Sequence, residues 1–423
     1  MIKQNITTPR KAVVIGAGIV GISTALYLQR DGAHVTIIDP ESPAEAGASF
    51  GNAGLIATQI VQPLATASIL PKIPSMLLDE MAPLAIRWRY LPTVIPWLLR
   101  LLRATKPSEV ERISAALASE LRFAEEAYRP LLDDEANPLF HRKGILVVYP
   151  DEHFLALNEP IFDLQRRNGV AFEKLGHNEV HNLVPDLSPN YRYGVHYTEA
   201  GHVSDPHLFA KTLFAQFVRA GGELKVARAT SFNFRNDRVT GVRTSSGVEE
   251  ADLVVVAAGI WSKQLAAQLG SRVPLESERG YHVTLPQPGI NVEMALMVGD
   301  IRFAVTPMRA GLRLAGTIEF AGLQAPPNPK RHEALVQNAR RVLPDLQSDQ
   351  QTLWMGHRPS LPDSLPVVGP SPRYSNAFFN FGHGHLGLTS AAVTGRTIAD
   401  MAAGRKPLFD PTPFRVDRFS LIT

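Results

Sequence analysis

The stretch from residue 12 to residue 39, AVVIGAGIVGISTALYLQRDGAHVTIID, constrains the fold of this chain more than any other. Val13, Val14 and Ile15 form an apolar run without polar alternation, the pattern of a parallel strand that is buried on both faces. Three glycines then lead into a helix with one apolar face, and a second strand follows at once. This order predicts a βαβ unit and therefore a parallel sheet covered by helices.

The glycine spacing in this unit is the one that suits a dinucleotide. Gly16 permits a tight turn, Gly18 lets the backbone approach a pyrophosphate, and Gly21 lets the helix pack closely against the sheet. The free N–H groups of the helix N-terminus then face the phosphates. Asp39, at the end of the second strand, is placed to meet the ribose hydroxyls of an adenosine. We predict a bound dinucleotide, and the alternative is a glycine turn that is merely structural.

The composition is that of a globular protein with more than one core. The chain has 423 residues, of which 45% are hydrophobic and 20% charged, so two domains are expected. Its net charge of +3 comes without a long basic run, and nucleic acid is not an expected partner. The absence of cysteine excludes disulfides, thiolate metal sites and a cysteinyl-linked flavin. No cluster has metal-ligand spacing, and no metal is expected.

Two later patterns indicate that a second domain interrupts the first. Residues 252–257 (DLVVVA) repeat the buried strand and end at a glycine junction, whereas residues 274–320 alternate as in an antiparallel sheet with one exposed face. The predicted fold class is α/β, with a Rossmann-like nucleotide-binding domain interleaved with an α+β domain whose sheet is mostly antiparallel. The nucleotide-binding segments are predicted at 1–75, 201–272 and 353–423, and the segments of the other domain at 76–200 and 273–352.

One amphipathic stretch leaves the cellular location open. Residues 84–105 place tryptophans and leucines among four arginines: Arg87, Arg89, Arg100 and Arg103. They form either an interfacial membrane segment or helices that cover the second domain. No run of eighteen apolar residues occurs, and the N-terminus lacks the apolar core of a secretory signal. We expect a cytoplasmic protein, with a peripheral position on the inner face of the bacterial inner membrane as the open alternative.

Five motifs in order resemble the DAO family of FAD-dependent amine and D-amino acid oxidoreductases, with the small subunit of bacterial D-amino acid dehydrogenases as the nearest group. They are VVIGAGIVGISTALYL with Asp39, SFGNAG at 49–54, RGYHVTLP at 279–286, GHRPSLPDSLPVVG at 356–369 and FGHGHLGLT at 381–389. The resemblance covers nearly the whole chain. It implies noncovalent FAD, a glutathione-reductase-like FAD-binding domain and an antiparallel sheet over the flavin. The chain departs from the family pattern at Gly51, usually alanine, and at His385 and Leu388, usually threonine and tryptophan.

The resemblance also identifies the residues expected to contact FAD. The loops at 258–259 and 382–389 match family loops that touch the pyrophosphate and the isoalloxazine, and Val226 matches a backbone contact to adenine. The expected cofactor-binding residues are Gly16, Ala17, Gly18, Ile19, Val20, Gly21, Asp39, Pro40, Ser49, Asn52, Ala53, Gly54, Leu55, Val226, Ala258, Gly259, Gly382, His383, Gly384, His385, Leu386, Gly387, Leu388 and Thr389.

Three residues are expected to act on the substrate. Arg358 matches the family position that clamps the substrate carboxylate, and a guanidinium makes a planar two-point contact with such a group. Tyr281 matches an active-site tyrosine of the family. Arg302, predicted on an alternating strand, is a candidate second anion contact, although an arginine on an exposed sheet face is the plainer interpretation.

Three histidines are candidate bases for the substrate ammonium: His282, His383 and His385. No base is required, because water can remove that proton before binding. We assign the two histidines of the glycine-rich loop to cofactor contact first.

The resemblance implies oxidative deamination of a D-amino acid by hydride transfer from Cα to flavin N5, with electrons passing to a quinone or another respiratory acceptor. D-Proline or a hydroxyproline is a candidate substrate. Two alternatives stay open. One is an oxygen-using oxidase of glycine, sarcosine or another secondary amine, and the other is the flavin subunit of a multisubunit dehydrogenase.

Overall fold

A computed structural model of the protein describes residues 11–67 and 82–419. The predicted domain boundary at residue 75 and the N-terminal stretch 1–10 lie outside the described residues. The strands are β1 (Lys11–Ile15), β2 (His34–Asp39), β3 (Leu55–Ile56), β4 (Leu84–Ile86), β5 (Phe140–His141), β6 (Ile145–Tyr149), β7 (Glu173–Leu175), β8 (Tyr193–Tyr197), β9 (Gly201–Val203), β10 (Glu223–Val226), β11 (Ala229–Arg235), β12 (Arg238–Thr244), β13 (Gly247–Glu250), β14 (Leu253–Val256), β15 (Glu276–Leu285), β16 (Ala295–Val298), β17 (Phe303–Met308), β18 (Gly311–Phe320), β19 (Thr352–Ser360), β20 (Val367–Pro370) and β21 (Ala377–Phe381). The helices are α1 (Ile19–Arg30), α2 (Leu91–Ala104), α3 (Pro107–Leu121), α4 (Ala124–Tyr128), α5 (Glu152–Leu157), α6 (Glu159–Arg167), α7 (His177–Leu183), α8 (Pro206–Arg219), α9 (Ser262–Gln268), α10 (Pro329–Val342) and α11 (Gly387–Ala402).

The first sheet is built around the predicted βαβ unit. Its order is β10-β2-β1-β14-β21-β20, and every neighbouring pair is parallel except β20 with β21. Along β1, alternate residues enter two separate cores: Val14 packs into one and Val13 and Ile15 into the other. Burial on both faces explains why this strand shows no polar alternation.

The second sheet has the order β19-β15-β18-β17-β16-β6-β8-β7, with β4 added beside β18. Its central pairs are antiparallel, whereas β6 with β16 and β4 with β18 are parallel. Helix α10 covers one face, where Leu335 and Val336 pack on Val283 and Leu314. The prediction of one exposed face was wrong for β15, which is buried along its whole length. The face of β15 that is not covered by α10 turns toward the first sheet and the loops that follow the strands of that sheet.

The strands of the two large sheets alternate along the chain, and two small sheets, β11-β12-β13 and β3-β9-β5, connect to them. The division into five segments stays a prediction. Because β19 pairs with β15, residues 353–360 lie in the second sheet. This pairing favours an end of the second substrate-domain segment near Ser360 rather than at residue 352.

Glu120 makes the stability of this fold depend on pH. The side chain lies fully buried on α3, and its neighbour Ser390 belongs to the first turn of α11. Burial raises the pKa of Glu120 from 4.5 to about 7, and the Ser390 hydroxyl, which lowers the pKa, offsets only part of this effect. At Glu120 the folded protein therefore holds a proton that the unfolded chain releases between these pH values, and the contribution of Glu120 to the free energy of unfolding falls by about 3 kcal/mol as pH rises through this window.

We expect Glu120→Gln to remove this part of the pH dependence. Urea unfolding of both proteins at about pH 5 and about pH 8 measures it. Buried neutral histidines such as His282 and His383 change the stability of both proteins alike over this range, so the contribution of Glu120 is the difference between the proteins: from about pH 5 to about pH 8 the wild type should lose about 3 kcal/mol relative to the variant. Equal changes in the two proteins would contradict the assignment to Glu120.

Candidate active site

A cavity of about 490 Å³ lies at the carboxyl ends of the parallel strands. The last residues of β1, β2 and β21 border it, together with the residue after β14, which is where open α/β sheets bind their ligands. The structure brings together on its wall the following predicted cofactor residues: Gly16, Gly18, Ile19, Val20, Asp39, Pro40, Ser49, Asn52, Ala258, Gly259, Gly382, His383, Gly384, Gly387 and Leu388.

Glycines form the turns that border this cavity. A Cβ at Gly16, whose φ is +117°, would lie 2.4 Å from the carbonyl oxygen of Ala257. A Cβ at Gly21 would lie 1.9 Å from the carbonyl oxygen of Gly16. The first glycine therefore permits the turn and the third permits the close packing of α1 on it. Ser49 lies opposite, where its hydroxyl accepts a hydrogen bond from the N–H of Ile19 at 3.0 Å.

The Asp39 carboxylate borders the cavity and is anchored by the backbone. Oδ2 accepts a hydrogen bond from the N–H of Ala17 at 2.7 Å, and Oδ1 accepts one from the N–H of Glu41 at 3.0 Å. Burial raises the pKa of Asp39, and these two N–H groups lower it. Each carboxylate oxygen keeps acceptor capacity that faces the cavity.

The other predicted cofactor residues do not line the cavity, and several of them hold its loops together. The Thr389 hydroxyl accepts from the N–H of Ala57 at 3.0 Å and donates to the carbonyl oxygen of Leu55 at 3.3 Å. Gly54 donates its N–H to the Asn52 side chain at 2.8 Å. Those outside the wall are Ala17, Gly21, Ala53, Gly54, Leu55, Val226, His385, Leu386 and Thr389.

Several residues on the wall were missed by sequence reasoning. Val226 is 63% exposed and does not border the cavity, whereas Arg228, Ala229 and Thr230, which follow β10 after Ala227, do. Since β10 is parallel to β2, its carboxyl end had to lie at the same edge, and this rule could have found them. The additional lining residues include Arg228, Ala229, Thr230, Trp261, Gln264, Gln268, His357 and Pro359.

Arg358 is not itself a wall residue of the cavity, although its chain neighbours His357 and Pro359 are. It lies on the sheet face of Glu278 and Ser360, near His385 of the glycine-rich loop. Its Nη1 donates to Glu278 Oε1 at 3.1 Å and to the carbonyl oxygen of Thr317 at 3.0 Å. A Cβ on Gly280 would lie 2.3 Å from both Cζ and Nη2 of Arg358 and 2.8 Å from Nε. Because Cζ is as near as either nitrogen, the guanidinium lies with its flat face on Gly280. Its Nε–Nη2 edge has no partner among the described residues, so this edge can bind a carboxylate.

The structure does not bring Tyr281 to Arg358. Side chains alternate along a strand, and Tyr281 points to the face under α10, where its ring lies 5.1 Å from that of His332. The Tyr281 hydroxyl donates to Glu319 and accepts from the N–H of Asn328 at 3.1 Å. These contacts give Tyr281 a structural role, and we do not propose it as a substrate-binding residue.

Arg302 precedes β17 rather than lying in it, which corrects its predicted position on the strand. The residue has φ +55°, and its N–H donates to the carbonyl oxygen of Val298 at 2.7 Å. The side chain is accessible, yet desolvation lowers its pKa, while the phenol of Tyr149 favours its charge. Arg302 does not line the cavity, and its role as an anion contact stays a prediction.

Comparison with known proteins identifies the family. A family model described as FAD dependent oxidoreductase, DAO, matches residues 11–401. The chain belongs to the DAO family. It is 38% identical to a protein named D-amino-acid oxidase from Bradyrhizobium diazoefficiens, over 97% of this chain and 99% of that one. It is 34% identical to a protein named D-amino acid dehydrogenase from Paramagnetospirillum magneticum, again over 97% and 99%. The fold is that of the L-proline dehydrogenase from P. horikoshii, with a TM-score of 0.72, 18% identity and coverage of 97% and 98%.

This DAO-family protein is therefore an FAD-dependent oxidoreductase, and the cavity fits FAD. Gly259, Gly382 and Gly384 on the wall have φ values of +53°, +86° and +53°, so the backbone can approach a flat ligand without a Cβ. The α1 N-terminus and Asp39 offer a pyrophosphate and a ribose their usual partners. Bound FAD supplies a two-electron acceptor to the enzyme. The contacts of each residue with FAD stay a prediction.

Two of the three histidines are held by the protein itself. His282 Nδ1 lies 2.9 Å from the carbonyl oxygen of Gly51, and His383 Nε2 lies 3.2 Å from the Thr394 hydroxyl. Burial lowers the pKa of each to about 3, so both rings are neutral near neutral pH. Desolvation lowers the pKa of His385 as well, while the charge of Glu278 raises it and that of Arg358 lowers it. Its side chain is exposed, so His385 stays the candidate base among the three.

The structure explains why this chain has glycine at position 51, where the family usually has alanine. A Cβ on Gly51 would lie 2.2 Å from Cδ2 of Trp354, whose indole stacks on His282 with ring centroids 5.1 Å apart. We expect Gly51→Ala to destabilise the protein by about 2 kcal/mol, because a packed indole has to move. Urea unfolding measures the loss.

A double variant tests this explanation. Trp354→Leu removes the ring, so that Gly51→Ala should cost much less in that background. Free-energy changes that simply add in the double variant would contradict the contact. The cofactor content of each protein is measured alongside, because residue 51 lies between Ser49 and Asn52, which line the cavity.

Proposed function

We propose that this enzyme oxidises a D-amino acid at Cα, with the substrate carboxylate bound to Arg358. The observation that carries the proposal is the Nε–Nη2 edge of the Arg358 guanidinium, which has no partner within residues 11–67 and 82–419, while Glu278 and Thr317 hold Nη1. An α-carboxylate is a planar acceptor with the spacing of that edge. A protein that only carried electrons would not need such an anion site, which disfavours the flavin-subunit alternative.

The chain positions the substrate rather than reacting with it. A carboxylate held at two points restricts the position of Cα relative to the cofactor, and such positioning lowers the barrier to hydride transfer. The substrate loses a hydride from Cα and a proton from its amine, which leaves an imino acid. Water converts an acyclic imino acid to a 2-oxo acid and ammonia, whereas a cyclic substrate such as D-proline leaves as the cyclic imine.

The names of two relatives support the D-series: one is called a D-amino-acid oxidase and the other a D-amino acid dehydrogenase. The fold alone does not fix the stereochemistry, since a protein with the same fold is an L-proline dehydrogenase. The experiment is anaerobic reduction of the purified holoenzyme by paired D- and L-amino acids, both prolines included, followed by bleaching of the flavin absorption. Rapid bleaching by a D-acid supports the proposal, and bleaching by L-acids or by sarcosine alone would overturn it.

We propose a quinone or another respiratory acceptor for the electrons. The alternative is an oxygen-using oxidase, and the relative named an oxidase supports that reading. Turnover with an artificial dye under nitrogen, compared with peroxide formed in air, separates the two. Peroxide that matches turnover would overturn the dehydrogenase, and activity of the single chain with the dye would remove the multisubunit alternative.

A peripheral membrane position is consistent with α2 and the residues before it. Trp88, Ile95, Leu99 and Leu102 are 64%, 43%, 56% and 43% exposed, next to the exposed Arg89 and Arg103. Such a surface suits the headgroup region of an anionic bilayer. Of the helices in the described part of the chain, none has the length and apolar character to cross a bilayer. Flotation with anionic and zwitterionic vesicles tests the contact, and recovery with neither would contradict it.

A further inference from the structure

A buried acid lies beside the arginine to which we assign the substrate carboxylate. Glu278 on β15 is directly opposite Arg358 on β19 in the register of the sheet. Glu278 is 1% exposed, and both of its carboxylate oxygens are engaged. Oε1 accepts from Arg358 Nη1 at 3.1 Å, and Oε2 accepts from the Ser360 hydroxyl at 2.7 Å. The acid is thus fixed in place by the strand that carries the arginine.

This acid has two opposed effects on an incoming carboxylate. It orients the guanidinium, because Nη1 is held by Glu278 and by the carbonyl oxygen of Thr317 while Gly280 supports the flat face. It also balances the charge of Arg358, so that the pair attracts an anion less strongly than a lone arginine would. Orientation helps the reaction and charge balance weakens binding.

We propose that Glu278 is a positioning residue that acts through Arg358: it presents the Nε–Nη2 edge to the substrate carboxylate, and it lowers the affinity of the site for anions. The inference rests on the proposed function of Arg358. It predicts that loss of the Glu278 charge tightens anion binding while it slows the reaction. If Glu278 had a purely structural role, its loss would instead weaken anion binding and slow the reaction.

The test uses acetate, a carboxylate without an amine, and the holoenzyme. Perturbation of the flavin absorption spectrum gives the dissociation constant, and turnover of the best amino acid gives kcat. For Glu278→Gln we expect acetate to bind about tenfold more tightly and kcat to fall about tenfold. Glu278→Asp keeps the charge but shortens the side chain, so that acetate affinity stays within about threefold of wild type while kcat still falls.

Glu276→Gln is the matched control. Glu276 lies two residues away on the same strand and is also buried, but its carboxylate accepts from the Tyr90 hydroxyl at 2.8 Å and not from Arg358. This control should leave acetate affinity and kcat near their wild-type values. Flavin content and thermal unfolding of each variant show that the fold is kept.

The outcomes distinguish failure of the inference about Glu278 from failure of the proposed function of Arg358. If wild type binds acetate and Glu278→Gln binds it equally or more weakly, the positioning role is overturned while the Arg358 site stands. If Glu276→Gln behaves like Glu278→Gln, the effect is one of general charge and the inference also fails. If wild type neither responds to acetate nor is inhibited by it, the carboxylate site at Arg358 is itself overturned.

Discussion

Replacement of Arg358 is expected to reduce kcat/KM for the amino acid substrate by about 10³-fold in Arg358→Gln and by about 10²-fold in Arg358→Lys. The glutamine variant loses the charge and the two-point contact together. Lysine keeps the charge next to Glu278 but offers a single ammonium in place of a planar edge. The loss should fall on both KM and kcat, because the carboxylate contact also sets the orientation of Cα. Stopped-flow reduction under nitrogen measures each variant.

Arg358→Lys also serves as the control for folding in this series. Because Glu278 is 1% exposed, the removal of its cationic partner destabilises the protein, and lysine limits that loss. Flavin content and thermal unfolding of the lysine variant should stay near those of the wild type. A lysine variant that retained kcat/KM within about threefold would contradict the assignment of the carboxylate to Arg358.

Gly280→Ala is expected to reduce kcat/KM by about 10²-fold while the fold is retained. The added methyl would lie 2.3 Å from Cζ of Arg358, and a flexible side chain can move away where a packed ring cannot. The guanidinium must therefore leave the sheet surface, and a shift of about 1 Å in a substrate-positioning group is costly. The position itself accepts alanine, because the φ of Gly280 is not positive and its pairing with β19 is regular, although the pairing of β15 with β18 shifts register between Arg279 and Tyr281.

The control for Gly280→Ala is the glycine paired with it on the neighbouring strand. A Cβ on Gly356 would lie 2.0 Å from the indole of Trp354, not near the Arg358 guanidinium. Gly356→Ala should therefore destabilise the protein but keep acetate binding, whereas Gly280→Ala should lose acetate binding with little loss of stability. Equal acetate affinity in the two variants would argue against displacement of Arg358.

The nucleotide-binding unit was predictable because its determinants are local. Val13 to Ile15, the glycines and Asp39 follow each other within one βαβ unit, and the carboxyl ends of parallel strands share one edge. The wall residues beyond β10 follow from the same rule. The placement of Arg358 beside Glu278 depends on the register of β15 with β19, which are about 80 residues apart in sequence, and no local pattern carries it.

Tyr281 shows the limit of motif transfer. Its motif contains residues of both sheet faces, so that a match in sequence does not say which side chain meets the substrate. The structure turns Tyr281 under α10 and leaves Gly280 on the other face, beneath Arg358. Gly51 also shows this limit. Glycine in place of the family's usual alanine is explained only by the contact that a Cβ at this position would make with Trp354. Such compensation between distant residues is visible only in three dimensions.

The carboxylate requirement is the central claim, and one comparison tests it most directly. The holoenzyme is mixed under nitrogen with its best amino acid substrate and, separately, with the amine that lacks only the carboxylate, and bleaching of the flavin is followed. We expect the amine to reduce the flavin at least about 10³-fold more slowly, since it has nothing to bind at the Arg358 edge. Reduction of the flavin by the amine at the rate of the amino acid would contradict the account.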